Sequence, residues 1–90
     1  MLFRAANLDE AIATANETPF GLGASFWSDD DDEIDAACRR LQAGSTYVNQ
    51  MVASDPRLPF GGIKRSGHGR ELAQAGLLEF ANVKTVAVTR

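Results

Sequence analysis

Residues 50–69 constrain this chain more than any other part of it. Within those twenty positions stand two prolines, Pro56 and Pro59, and four glycines, Gly61, Gly62, Gly67 and Gly69. Proline fixes φ and removes a backbone donor, and glycine loses the most entropy on ordering, so neither a helix nor a long strand fits there. An irregular segment this long is uncommon in a compact unit unless it is functional. In a chain of 90 residues, regular structure is left to the flanks.

The flanks alternate between helical and strand patterns. Asn7 stands three residues before Glu10, a capping-box arrangement with Asn in place of Ser or Thr. Leu8, Ala11, Ile12 and Ala15 then recur at helical spacing, and Asn16, Thr18 and Pro19 close the helix. Gly21 and Gly23 bracket a turn, and Ala24 to Trp27 reads as a short strand. A second helix is expected over 29–43, capped by Ser28. Its acids fall in the first turns and Arg39 and Arg40 near the end, as the helix dipole favours. Its apolar stripe is Ile34, Ala37, Cys38 and Leu41, and Gly44 is the expected left-handed C′ residue. Thr46 to Val48 reads as a strand. A third helix is expected over about 70–80, with Leu72, Gly76, Leu77 and Phe80 near one face, and Val83 to Thr89 as a final β-branched strand. The expected class is α/β.

Composition removes several functions. No run approaches the roughly 20 apolar residues of a membrane span, and Met1 to Ala6 holds no h-region of signal-peptide length. The expected compartment is the cytoplasm. One cysteine and one histidine exclude a disulfide framework and leave little for a metal centre.

Charge is unevenly spread. The net value is −3, but residues 1–35 hold nine acids against Arg4, and residues 36–90 hold eight bases against three acids. The run Asp29 to Asp35 lacks the ligand pattern of an EF-hand and reads as a solvated helix start. Around the glycines, Arg57, Lys64, Arg65 and Arg70 invite a phosphate reading, and it fails in detail. Gly62 and Gly67 have Walker A spacing, but His68 stands where lysine is needed. Gly67 and Gly69 begin a dinucleotide fingerprint, but Leu72 replaces its third glycine. Nucleic-acid binding would want interleaved aromatics and a favourable net charge. Cys38 lies on an apolar stripe toward a helix C-terminus, the wrong end of the dipole for a thiolate, so burial as a small hydrophobe is expected. His68, between two glycines, is expected in a loop near solvent.

The segment 49–72, Asn-Gln-Met-Val-Ala-Ser-Asp-Pro-Arg-Leu-Pro-Phe-Gly-Gly-Ile-Lys-Arg-Ser-Gly-His-Gly-Arg-Glu-Leu, resembles the C-terminal signature of the aldehyde dehydrogenase superfamily. The matching pieces are Val48-Asn49, Pro59 to Gly62, Lys64, Ser66-Gly67 and Gly69-Arg70-Glu71. Asp9 to Asn16 with Phe20-Gly21-Leu22 resembles the family's preceding segment, and Asn82 to Val86 its terminal strand. The pattern is closest to the succinate-semialdehyde branch. The resemblance implies residues 1–81 as the C-terminal part of a catalytic domain and 82–90 as an oligomerisation strand. It implies oxidation of an aldehyde to the carboxylate with NAD or NADP, in a likeness to homo-oligomeric enzymes. The nucleophilic cysteine, the glutamate base and most of the cofactor site belong to the family's upstream segment. Cys38 does not match the nucleophile's motif, and no catalytic residue is expected in this chain itself.

Three positions carry a role by resemblance. Phe60 matches a wall of the substrate tunnel, where its ring would shield the reacting aldehyde from water; the alternative is a core aromatic anchoring the loop. Ser54 matches a serine that helps hold a distal substrate carboxylate; the alternative is a turn serine before Asp55-Pro56. Glu71 matches a glutamate invoked as a secondary proton relay; the favoured alternative is an anchor that holds the loop by hydrogen bonds. Arg57 has no assigned role, because the family's substrate-binding arginines lie upstream. The isolated chain is expected to be inactive. The competing reading is a truncated, non-catalytic protein that acts through self-association or through a full-length subunit.

Overall fold

The computed structural model describes all residues, Met1 to Arg90. Helix α1 spans Leu8–Asn16, α2 Asp31–Arg40 and α3 Ala73–Leu78. Four short strands are β1 Phe20–Gly21, β2 Ala24–Phe26, β3 Thr46–Val48 and β4 Ile63–Lys64. The alternation makes the chain α/β. β2 and β3 pair in parallel, Ala24 with Thr46 and Phe26 with Val48, and α2 supplies the crossover that a parallel pair requires. β1 pairs antiparallel with β4, Phe20 with Lys64 and Gly21 with Ile63.

Helix α1 begins where its cap chemistry places it. The Glu10 N–H donates to Asn7 Oδ1 at 2.9 Å, and Glu10 Oε2 accepts from the Ala6 N–H at 2.8 Å. In α2 the cap is Asp30 rather than Ser28. Asp30 Oδ1 accepts from the N–H groups of Asp32 and Glu33, and the anionic acceptor is the stronger one at a positive helix end. Ser28 sits outside the helix, where its hydroxyl donates to Glu33 at 2.7 Å.

The end of α2 corrects a second expectation. The helix stops at Arg40, and Gly44 is not its left-handed C′ residue. Asn16 closes the helix from α1: its Nδ2 donates to the Arg40 carbonyl and its Oδ1 accepts from the Gln42 N–H, both at 2.8 Å. Gly44 serves close approach instead, because a Cβ there would collide with the Gly61 carbonyl oxygen.

Burial is sparse. Ile12 on α1 is 4% exposed and Ala37 on α2 is fully buried, while Ile34 and Leu41 are half-buried. An ion pair from Arg40 to Asp9 at 2.6 Å also ties the helices. Cys38 is exposed, against the expectation of burial. One residue adds 100° around a helix, so Cys38 turns out of the narrow strip that Ala37 occupies.

One further expectation fails at the C-terminal end, and a second is not met within this single chain. The third helix is six residues long, Ala73–Leu78, not about 70–80. Residues 81–90 form no strand. A β-strand is stabilised by a partner's backbone groups, and no segment of this chain lies beside Val83 to Thr89 in a ladder. Phe80, Val83 and Val88 are accordingly exposed. The long irregular segment is more structured than its composition predicts, for it contains β4, and its Phe60 pairs antiparallel with Glu71 just beyond its end. The radius of gyration is 17.3 Å, with a long axis of 66 Å, against roughly 12 Å for a compact chain of this length. No helix is long and apolar enough to cross a membrane.

Candidate functional site

The glycine-rich loop folds over the β1–β4 pair and is tied down at each polar position. Lys64 has φ +54, and its Nζ donates to the carbonyls of Asn16 at 2.7 Å and Thr18 at 3.2 Å. It therefore satisfies carbonyls left open at the end of α1, a cation placed at the negative end of the helix. Ser66 Oγ accepts from the Gly21 N–H at 2.9 Å, and the Arg65 N–H donates to the Pro19 carbonyl at 3.0 Å. Asn49 does the same work on the far side, its side chain bonding both the N–H and the carbonyl of Ser28. Its φ of +55 is one that Asn tolerates better than most residues.

These ties frame an open cleft of about 470 Å³, lined by Leu22, Phe60, Phe80, the Gly61-Gly62 pair, Ser66 and the run from His68 to Glu71, with Glu79 at one side. Phe60 is half-buried. Its backbone exchanges two hydrogen bonds with Glu71, at 2.8 and 2.7 Å, so the two ends of the loop meet. Arg70 Nη1 donates to the Gly62 carbonyl at 2.9 Å and the Gly69 carbonyl at 2.6 Å. After Glu71 the chain passes through Leu72 at φ +65 and Ala73 at φ +51. Left-handed backbone in residues with a Cβ costs about 1–2 kcal/mol each and persists where surrounding contacts impose it.

The structure brings Phe60 and Glu71 together and leaves Ser54 apart. Phe60 lines the cleft. Glu71 anchors the loop through its main chain, while its exposed carboxylate makes no hydrogen bond. Ser54 is exposed and lines none of the clefts. Arg57 is not free to clamp a carboxylate, because Asp55 already occupies its fork, with Nη2 to Oδ2 at 2.6 Å and Nε to Oδ1 at 2.9 Å. His68 lines the cleft at its exposed edge. Glu79 carried no signal in the sequence; it stands beyond the motif, and only the packing of α3 brings it to the loop. No group of three or more His, Cys, Asp or Glu side chains could hold a metal ion.

The Arg57 guanidinium and its backbone N–H hold the Asp55 carboxyl below the usual carboxylate range, and Asp55 in turn raises Arg57. A carboxylate whose pKa is depressed in the folded state contributes stability above its ordinary pKa. That contribution is lost as pH falls through the depressed value. Both partners reach solvent, so the effect is small. In an NMR titration the Asp55 midpoint is expected to rise in Arg57→Gln. An unchanged midpoint would show that the pair does not form in solution.

The same arrangement recurs in known proteins. The aldehyde dehydrogenase family model matches residues 1–86. A probable succinate-semialdehyde dehydrogenase [NADP(+)] of Synechocystis sp. is 56% identical over 84 residues, 93% of this chain. Succinate-semialdehyde dehydrogenase [NADP(+)] 1 of Mycobacterium ulcerans is 53% identical over 87 residues, 97% of this chain. The crystal structure of an NAD-dependent aldehyde dehydrogenase from Sinorhizobium meliloti superimposes with a TM-score of 0.88 at 44% identity, over 92% of this chain and 16% of that one. That of succinic semialdehyde dehydrogenase from Streptococcus pyogenes, in complex with NADP+, gives 0.88 at 35% identity, over 96% and 19%. The chain belongs to the aldehyde dehydrogenase family. It spans 18% of the length of the Synechocystis relative and 19% of the Mycobacterium ulcerans one.

A nicotinamide cofactor carries a pyrophosphate, and the groups beside the cleft do not fit one. Arg70, the one lysine or arginine that lines the cleft, ties its Nη1 to two carbonyls. Glu71 and Glu79 place carboxylates on the same cleft.

Proposed function

We propose that this chain forms the substrate-side C-terminal part of an NAD(P)+-dependent aldehyde dehydrogenase acting on succinate semialdehyde. The observation that carries this reading is Phe60. It lines a cleft, and its backbone is locked to Glu71 by two hydrogen bonds. An aromatic wall fixed in that way excludes water from a reacting carbonyl. The names of the Synechocystis and Mycobacterium relatives support the succinate-semialdehyde substrate and favour NADP+. Ser54 keeps its hydroxyl free of internal bonds, as a donor to a distal carboxylate requires. Glu71 acts as a loop anchor in this reading, and binding of the cofactor falls to residues outside the cleft.

The exposed apolar surface supports the same reading. Phe20, Trp27, Leu77 and Phe80 are each more than half exposed, and exposed apolar patches mark surfaces that other protein covers. Residues 1–81 then form the end of a catalytic domain and 82–90 a strand completed by a second subunit. An unpaired β-branched segment of this kind pairs readily with another chain. The purified chain is expected to self-associate in sedimentation, and Val86→Pro to weaken the association. A monomer at all concentrations would count against this assignment.

The test of function is a graft. This chain replaces the matching 87-residue region of the Mycobacterium ulcerans relative. The graft is expected to reduce NADP+ with succinate semialdehyde. In it, Phe60→Ala should lower kcat/KM by about tenfold or more, equivalent to ~1.4 kcal/mol of transition-state stabilisation. Ser54→Ala should raise KM for succinate semialdehyde while leaving an uncharged aldehyde of similar length unaffected. A folded graft without turnover would refute the assignment.

A further inference from the structure

Glu79, the C-cap residue of α3, reaches back across the cleft to the loop. Its Oε1 accepts from the Arg70 N–H at 3.1 Å. Its carboxylate also lies flat against Gly69: a Cβ built there would come within 2.7–2.8 Å of Oε2, Cδ and Oε1. Gly69 has φ +69, a conformation glycine adopts at no steric cost. The loop is therefore shaped to receive this carboxylate. Arg70, held by Glu79 through its N–H, sends its side chain to the Gly62 carbonyl. The next residue, Glu71, is bonded to Phe60. One short relay thus links Glu79 to both Gly62 and Phe60.

The contact does not use charge in the usual way. The Arg70 guanidinium goes to the Gly62 and Gly69 carbonyls and forms no ion pair with Glu79. No lysine or other arginine is bonded to that carboxylate. What the geometry asks of residue 79 is an acceptor oxygen on a side chain of this length.

We propose that Glu79 is a positioning residue for the cleft: a hydrogen-bond acceptor that clamps Gly69 and Arg70 and through them fixes Phe60. It acts by geometry rather than by charge or proton transfer. Its effect on turnover rests on the aldehyde reading above, while the clamp itself does not.

The two parts are tested separately. In the 90-residue chain, amide hydrogen exchange is followed at Phe60, Arg70 and Glu71. Ala24 and Asn49, bonded at the ends of the β2–β3 ladder, serve as controls. Glu79→Ala is expected to speed exchange at the three loop amides by roughly fivefold or more relative to the controls, the scale of one net hydrogen bond. Glu79→Gln, which keeps an acceptor oxygen, should stay within about twofold. No acceleration in the alanine variant, equal acceleration in both variants, or fast exchange at all three amides in the unsubstituted chain would each overturn the clamp. In the graft, Glu79→Ala should lower kcat/KM in the direction of Phe60→Ala. Glu79→Gln should restore it with an unchanged pH profile. An active graft whose kcat/KM ignores Glu79→Ala, or whose pH profile shifts in Glu79→Gln, overturns the link to Phe60. An inactive unsubstituted graft refutes the aldehyde reading and leaves the exchange result to decide the clamp.

Discussion

Purified alone and supplied with succinate semialdehyde and either NAD+ or NADP+, the 90-residue chain is expected to show no cofactor reduction. Aldehyde oxidation through a thiohemiacetal needs an activated thiolate, and activation needs a nearby cation, a base or a helix N-terminus. The only cysteine is Cys38. It stands in the C-terminal half of α2, exposed and without a hydrogen-bonded base. Arg70, the one lysine or arginine that lines the cleft, is engaged through Nη1 with two carbonyls, and Glu71 and Glu79 line the same cleft, a poor setting for a pyrophosphate. Enzymes accelerate reactions by about 10⁶-fold or more, and a cleft wall without nucleophile or cofactor supplies almost none of that. Absorbance at 340 nm is the direct readout. Sustained aldehyde-dependent reduction by this polypeptide would overturn the assignment of its cleft to a supporting role.

Gly44→Ala is expected to be the most damaging single substitution in the loop framework. The added Cβ would overlap the Gly61 carbonyl oxygen and come within 2.7 Å of its carbon and 3.0 Å of the Gly62 Cα. All three are main-chain atoms, so no side-chain rotation relieves the contact. Overpacking of this kind costs about 1–3 kcal/mol and occasionally more. It would push the Pro-Phe-Gly-Gly turn away from the Gly44–Gly21 hydrogen bond, which measures 2.9 Å. Gly67→Ala is the control. Nothing lies within 4 Å of its Cβ position, and the only penalty is its φ of +127. Amide shifts at Gly61 and Gly62 should move strongly in the first variant and little in the second. Similar changes in both would mean that the close approach of Gly44 and Gly61 does not exist in solution.

The helices were the legible part of the fold. Asn7 with Glu10, and the acids ahead of Ile34, announce helix starts through local charge and hydrogen bonding, and those signals act over a few residues. The departures from local expectation share one cause. Gly44 has the local context of a cap, yet its neighbour is Gly61. Cys38 sits in an apolar stripe, yet the stripe is wider than the face α1 covers. Val83 to Thr89 has strand composition, but a strand is a relation between two segments, and no partner lies within this chain. The candidate site divides the same way. Phe60 and Glu71 were found through their motif, while Glu79 lies outside any motif and touches the loop only because α3 folds back.

The family, the helix starts and the position of the loop are written in neighbouring residues or in a run of motif residues, and so are readable without coordinates. What those residues do follows from how the chain packs. That packing makes Lys64 and Asn16 the closures of α1 and α2, Gly44 and Gly69 points of close approach, and Arg70 and Glu79 the frame around Phe60. The helix closures and the Gly44 approach depend on contacts between residues far apart in the chain, as with Lys64 and Asn16, and the Glu79 contact depends on α3 turning back onto the loop. Local propensity does not encode which distant partner a side chain will meet.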